Sequence, residues 1–433
     1  MAVNARALTL SLLCEKEEKN GFANLLLSDT VLEKAGDDAS FLTALFYGCA
    51  ERRLTLDYLA AHFAARPVEE ISTPVRFALH IGLYQIFFMK TPPHAAVSET
   101  VSLLKNKSER GFLNAVLRAA ARAEEMPLPP PSRTARYLSV KYSFPLPTVK
   151  RFLELYGRED TEKMLTYFNT PLPLTLRARD AEAKTMLLSR FEGEGIRAES
   201  TAHAENSVRV LSSVSPKALY GFAEGLFLVQ DESSSIVSEA LGAKKGDTVI
   251  DVCASPGGKT FGAALSANGE GEFYAFDLYE SRVALIKEGA RRLGLKVNAR
   301  ALDATVGDEA LDGQADCVIC DVPCSGLGVL GKKPDLRYRE SDLALPPLQY
   351  EILSRSSRYV KAGGALVYST CTLLPEENEE NVKRFLAEHP DFTPEDFASR
   401  GREPLRSEGG MLTLLPQRDG CDGFFIARLK KIK

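Results

Sequence analysis

At 433 residues the chain is too long for one hydrophobic core, and about two or three domains are expected. Hydrophobic residues at 45% and charged residues at 26% exclude a largely disordered protein. A formal net charge of -4 excludes a uniformly basic surface, so any nucleic-acid contact falls to local patches.

The opening stretch MAVNARALTLSLLCEKEEK becomes charged too soon for a secretory signal. The longest apolar run, Phe77 to Met89, is interrupted by His80 and Gln85 and is too short to span a bilayer. A cytoplasmic protein with no membrane contact is expected, its eight cysteines present as thiols rather than as a disulfide framework.

Residues 1–126 read as an all-helical domain, with apolar residues at three and four spacing in ARALTLSLL, FLTALFYGCAERRLTLDYLAAHF and PVRFALHIGLYQIFF. A proline-rich linker, 127–132, cannot continue a helix and closes that domain. Residues 133–228 mix a helical segment, TVKRFLELYGREDTEKMLTYF, with short alternating runs, PLTLRAR and SVRVLS, which predicts a small α+β module. Lys141, Lys150, Arg151, Arg177 and Arg179 on its exposed faces suit phosphate contacts, plain solvated surface being the alternative.

In 229–433 strands and helices alternate. DTVIDVCAS, EFYAFDLY, ADCVICDVPC and GALVYSTCT read as short apolar strands, separated by helices such as ESRVALIKEGARRLG and LQYEILSRSSRYVK. The pattern predicts an α/β fold with a Rossmann-like, mostly parallel, doubly wound sheet, in which ligands bind at the carboxyl ends of the strands. The motifs with chemistry in them fall at those ends.

The first motif is DVCASPGGKT. Pro256-Gly257-Gly258 turns the chain after the strand, and Lys259 opens a helix whose N-terminus offers positive potential to a carboxylate or phosphate. A Walker A loop needs glycine where Cys253 stands, and G-x-G-x-x-G is absent, so ATP hydrolysis and NAD binding are both disfavoured. Asp277, ending the next strand, is placed to accept hydrogen bonds from ribose hydroxyls, and Asp303 in ALDAT to meet an adenine edge. Together these acids and the turn suit S-adenosyl-L-methionine, whereas each aspartate taken singly reads as a cap or turn residue.

Two cysteines follow strand exits further on: Cys324 in CDVPCSGLG and Cys371 in YSTCTLLPEEN. Cytosine C5 is a poor nucleophile, and a thiolate adding at C6 turns the ring into an enamine that attacks a sulfonium methyl. Asp321, Cys324 and Cys371 supply the groups that such a path needs, with the two thiols interchangeable on this reasoning. No histidine lies between Lys259 and Cys371 to act as a local base. Cys14, Cys49, Cys317 and Cys320 read as small buried hydrophobes. Cys317 and Cys320 point to opposite faces of one strand, so no metal site is expected there.

At these residues the chain resembles the RsmB/Sun family of ribosomal RNA cytosine-5 methyltransferases, within the NOL1/NOP2/Sun group. DVCASPGGKT looks like the family's cofactor turn, FDLYESR its ribose-binding strand end, DVPCSGLG its proline-cysteine motif and YSTCTLLPEENE its threonine-cysteine motif. DGCDGFFIARLKK is similar to the last strand, and RGFLNAVLRAAAR to the last helix of a NusB-like RNA-binding front. The resemblance implies that Cys371 is the nucleophile, that Cys324 assists release of the methylated base, and that Asp321 binds near the target ring and the methyl donor. It implies cofactor contacts from Cys253, Ala254, Ser255, Pro256, Gly257, Gly258 and Lys259, with Asp277, Asp303 and Asp321, and a cytosine of 16S ribosomal RNA as substrate, on naked or partly assembled RNA. The competing reading is an RNA-binding assembly or antitermination factor carrying an inactive methyltransferase domain.

Overall fold

The computed structural model describes residues 4–19, 26–27, 29–339 and 342–433. They fall into two compact units: Met1–Asn169 with Lys333–Arg339, and Thr170–Lys332 with Glu340–Lys433. No helix among the described residues is long and apolar enough to cross a membrane.

The first unit is helical. Its described helices are α1 (Ala5–Lys19), α2 (Asp29–Ala35), α3 (Ala39–Glu51), α4 (Arg53–Ala64), α5 (Thr73–Phe87), α6 (Pro93–Val101), α7 (Lys107–Ala121), α8 (Thr134–Tyr142) and α9 (Leu146–Phe168). The three-and-four spacing places Leu42, Leu45, Phe46, Leu56, Leu59, Leu79, Leu83, Leu113 and Leu117 in one core with no solvent exposure. Each such side chain contributes roughly 1.5–3 kcal/mol by leaving water. Start signals are local: prolines open α5 and α6, and the Asn106 carboxamide oxygen accepts from the Ser108 N–H at 2.8 Å to cap α7.

The segment Lys333–Arg339 completes this helical unit, although in sequence it lies within the other one. The Arg337 side chain is buried, its guanidinium 4.4 Å from the centre of the Phe144 ring. It donates to the Phe168 carbonyl at 2.7 Å and to Asn169 Oδ1 at 2.8 Å. Beside it the Tyr338 hydroxyl donates to the Glu51 carbonyl at 2.7 Å.

The second unit begins with a four-stranded antiparallel sheet in the order β2-β3-β1-β4, made of β1 (Leu174–Ala178), β2 (Ala198–Ser200), β3 (Ser207–Val210) and β4 (Phe227–Val229), with α10 (Ala181–Gly193) packed on β1. Arg177 on β1 corrects the expectation of an exposed phosphate contact. It is buried, donates to the Gly262 carbonyl at 3.0 Å and to Ser266 Oγ at 3.1 Å, and burial lowers its pKa to about 10. Residues 175–178 of this five-residue strand are all buried, so both of its faces are covered and Arg177 lies against the segment Gly258–Ser266 rather than solvent. Lys141, in the helical unit, is paired with Glu162 at 2.9 Å.

After α11 (Glu232–Leu241) the doubly wound sheet follows: β5 (Thr248–Asp251), α12 (Gly258–Ser266), β6 (Glu272–Asp277), α13 (Glu280–Leu293), β7 (Asn298–Ala301), β8 (Ala315–Asp321), α14 (Leu345–Ser357), β9 (Val360–Thr370), α15 (Glu379–Glu388), β10 (Phe392–Pro394), β11 (Met411–Leu414), the short α16 (Pro416–Asp419) and β12 (Phe424–Lys431). The order β10-β12-β9-β8-β5-β6-β7, with β11 on β12, is parallel from β9 to β7 and antiparallel from β9 to β12. Residues 317–320 and 365–368 run without a charged residue because helices cover both faces. The expected Rossmann-like class therefore holds, with an antiparallel edge added by the last strands.

Candidate active site

The sheet order reverses direction beside β5, and the chemical groups converge there. β5 ends in buried Asp251, and a turn with a cis Ser255–Pro256 bond leads into α12. Gly257 sits at φ 106°, and a Cβ there would lie 2.2 Å from the Phe261 ring, so only glycine fits the turn. The Ala254 N–H donates to the Phe276 carbonyl at 2.7 Å and the Gly257 N–H to the Ala254 carbonyl at 2.6 Å, which fixes the loop against β6.

Asp277 ends β6 as a buried carboxylate that accepts from the N–H groups of Ser255 and Tyr279, each at 3.3 Å, and still has lone pairs to offer two hydroxyls. Asp303 follows β7 as an exposed carboxylate that accepts from the Thr305 N–H at 2.9 Å and hydroxyl at 2.7 Å. The Thr305 hydroxyl and backbone hold it below the usual carboxylate range.

Burial pushes the Asp251 carboxyl up to about 7, opposed by the Thr260 hydroxyl that donates to it at 2.6 Å, reinforced by Asp321 and opposed again by Lys259. A folded-state pKa above the unfolded value near 3.8 means that the fold retains a proton which the unfolded chain loses. That contribution to stability is complete below about pH 4 and disappears as the pH rises through 7. Asp251→Asn keeps the acceptor for Thr260 without the titration. Its Tm relative to the parent is expected to rise by several degrees between pH 5 and 8 in calorimetry; parallel pH profiles would refute the assignment.

A buried carboxamide completes the turn. Gln230 Nε2 has no partner among the described residues, and a Cβ on Gly258 would lie 3.2 Å from it. A buried donor left open costs roughly 1–3 kcal/mol, so it marks a place where an acceptor belongs. With the α12 N-terminus alongside and the Asp277 carboxylate at the next strand end, the donors and acceptors fit an amino acid joined to a nucleoside, as in S-adenosyl-L-methionine. Sequence reasoning missed Gln230, because it lies outside every motif and only its burial beside Gly258 reveals it.

β8 and β9 bring the two thiols together. Asp321 and Ser369 are partners in register, and the Ser369 hydroxyl donates to Asp321 Oδ1 at 2.7 Å. Lys259 Nζ donates to Asp321 Oδ2 at 2.7 Å and stands 5.1 Å from the centre of the Phe424 ring. Burial lowers the Lys259 pKa, but the Asp321 charge and hydrogen bond, then Asp251 and Cys371, outweigh it and keep the ammonium charged. Beyond the strand ends Cys324 Sγ lies 3.1 Å from Cys371 Sγ and accepts from the Cys371 N–H at 3.3 Å. The Cys371 hydrogen bond, then burial, raises the Cys324 thiol well above its usual range.

Cys317 and Cys320 behave as packing. Cys317 Sγ faces the Leu241 carbonyl at 3.8 Å and Cys320 Sγ faces Ser356 Oγ at 4.0 Å, so they address different helices. Among the described residues no group of three or more His, Cys, Asp or Glu side chains is arranged to hold a metal ion.

A glycine turn at the switch point of such a sheet, with acids at successive strand ends, defines an S-adenosyl-L-methionine-dependent methyltransferase. The chain belongs to the RsmB/F family: residues 238–430 match the family described as 16S rRNA methyltransferase RsmB/F, and residues 3–122 match the NusB family. It is 35% identical to the probable ribosomal RNA small subunit methyltransferase B of Bacillus subtilis (strain 168), covering 99% of each chain. It is 34% identical to the protein of the same description from Synechocystis sp., covering 99% of this chain and 100% of that one. The crystal structure of a methyltransferase homolog protein from Pyrococcus horikoshii matches with a TM-score of 0.58 at 27% identity, over 69% of this chain and 99% of that one.

Proposed function

We propose that this protein methylates C5 of a cytosine in 16S ribosomal RNA, in the cytoplasm, through a covalent bond between Cys371 and C6 of the base. The observation that carries the reading is the pair of thiols 3.1 Å apart beyond adjacent parallel strands, with the Asp321 carboxylate at the end of one of them. S-Adenosyl-L-methionine supplies an electrophilic methyl group when bound. Gln230, the start of α12 and Asp277 hold it, with the rest of the Cys253–Lys259 turn, Asp303 and Asp321 lining its site.

Cys371 acts first. The Lys259 ammonium, held charged by Asp321, sets positive potential beside the Cys371 sulfur. Its sulfur adds to C6, the C5–C6 electron pair moves to C5, and negative charge builds on the ring at N3. Asp321 stands at the mouth of this path, its two oxygens already oriented by Lys259 and Ser369, to meet the base and the donor. Once C5 carries the methyl group its proton passes to solvent water, the C5–H electron pair forms the C5–C6 double bond and the Cys371–C6 bond breaks to return the thiolate, with Cys324 assisting that release. The base reaches the thiols only by leaving the RNA stack, and the NusB-like front and the strands β1–β4 bind the flanking RNA.

The test follows one hydrogen atom. With 16S ribosomal RNA tritiated at cytosine C5, methyl transfer is expected to release tritium to water in equal amount at a single position; methyl incorporation without tritium release would overturn C5 as the acceptor.

A further inference from the structure

We propose that the consecutive residues Glu377 and Asn378 are positioning residues that set the separation of the two reactive thiols, an inference that rests on the cysteine chemistry above.

Glu377 ends the one-turn helix Pro375–Glu377, six residues beyond Cys371, and the residue is 2% exposed. Its Oε2 accepts from the Ser325 N–H at 2.9 Å and from Gln349 Nε2 at 2.7 Å. Gln349, fully buried on α14, also donates to the Pro323 carbonyl at 2.9 Å, and its oxygen accepts from Asn381 Nδ2 at 3.2 Å. The backbone is therefore held immediately before and immediately after Cys324. Asn378 does the same for the other thiol. Its Oδ1 accepts from the Thr370 hydroxyl at 2.5 Å and its Nδ2 donates to the Thr372 carbonyl at 3.1 Å, on either side of Cys371.

One dipeptide thus grips both loops, adding to the β8–β9 register a second restraint on the distance between the sulfurs. A carboxylate suits the Cys324 side because two N–H donors converge on one oxygen, where an ionised acceptor bonds more strongly than a neutral one. An amide at that position would have to satisfy both donors from its single carbonyl oxygen while its NH2 sought an acceptor. The buried negative charge also adds to the groups that keep the Cys324 thiol protonated. The Ser325 and Thr372 hydroxyls, 2.7 Å apart, tie the loops directly and reinforce the grip.

The experiment compares full-length protein with Glu377→Ala and Glu377→Gln. Turnover reads the function. The rate at which hydrogen peroxide joins Cys324 to Cys371, two thiols and one peroxide giving one disulfide and two waters, reads the spacing without needing RNA or cofactor; mass spectrometry identifies the link. Glu377→Ala is expected to lose about 10- to 100-fold in kcat, with KM for cofactor and RNA unchanged, and to cross-link about 10-fold more slowly. Glu377→Gln, which keeps the volume, is expected to lie between, and it decides the matter if the alanine variant unfolds. Cross-linking at the parental rate in a folded variant overturns the proposal whatever its turnover. Slowed cross-linking in a protein whose parent shows no methyl transfer would instead leave the positioning role standing and remove the proposed reaction.

Discussion

Cys371→Ala is expected to lose methyl transfer to ribosomal RNA by on the order of 10⁴-fold or more, measured with labelled cofactor. Without a nucleophile at C6 there is no enamine, and no other thiol is placed to substitute. Cys324 is the nearest, but the loop that carries it is pinned at Pro323 and Ser325. Cofactor affinity should stay within about twofold by calorimetry, because the turn and the Asp277 carboxylate are untouched. Substantial residual turnover would remove Cys371 from the nucleophile's role.

Cys324→Ala should behave differently, since addition and methylation can still proceed while release is impaired. We expect a covalent protein–RNA adduct that survives denaturing electrophoresis and accumulates to a large fraction of the enzyme, with multiple turnover reduced by on the order of 10²-fold or more. On the proposed mechanism, the 3.1 Å sulfur–sulfur contact puts Cys324 next to the Cys371–C6 bond. An adduct trapped by Cys371→Ala and absent from Cys324→Ala would reverse the two roles.

Much of the site was legible because the residues that build it are close in sequence to a strand end. β5, β6, β8 and β9 were readable as apolar runs, and Cys253–Lys259, Asp277, Asp321, Cys324 and Cys371 follow directly from where those runs stop. A strand exit is a local event, marked by proline, glycine or a polar break. What holds the exits in register is not local. Glu377 reads in sequence as one acid of an exposed-looking helix start, yet it is buried because Ser325 and Gln349 reach it from 52 and 28 residues away. Arg177 looks like a surface cation for the same reason: its partners Gly262 and Ser266 lie on α12, and no periodicity in β1 announces them. Gln230 carries no local signal, since what marks it is its position beside Gly258, 28 residues further along the chain.

The helical unit is not one continuous piece of chain, and this bears on how the protein can be dissected. A fragment stopped at Asn169 would lack Arg337 and Tyr338, leaving the Phe144 ring, the Phe168 carbonyl and the Glu51 carbonyl without the groups that cover and satisfy them. Neither unit can therefore be excised or swapped between relatives as a simple cassette. Any chimera or minimal helical piece has to carry Lys333–Arg339 along, grafted in place or supplied as a separate peptide.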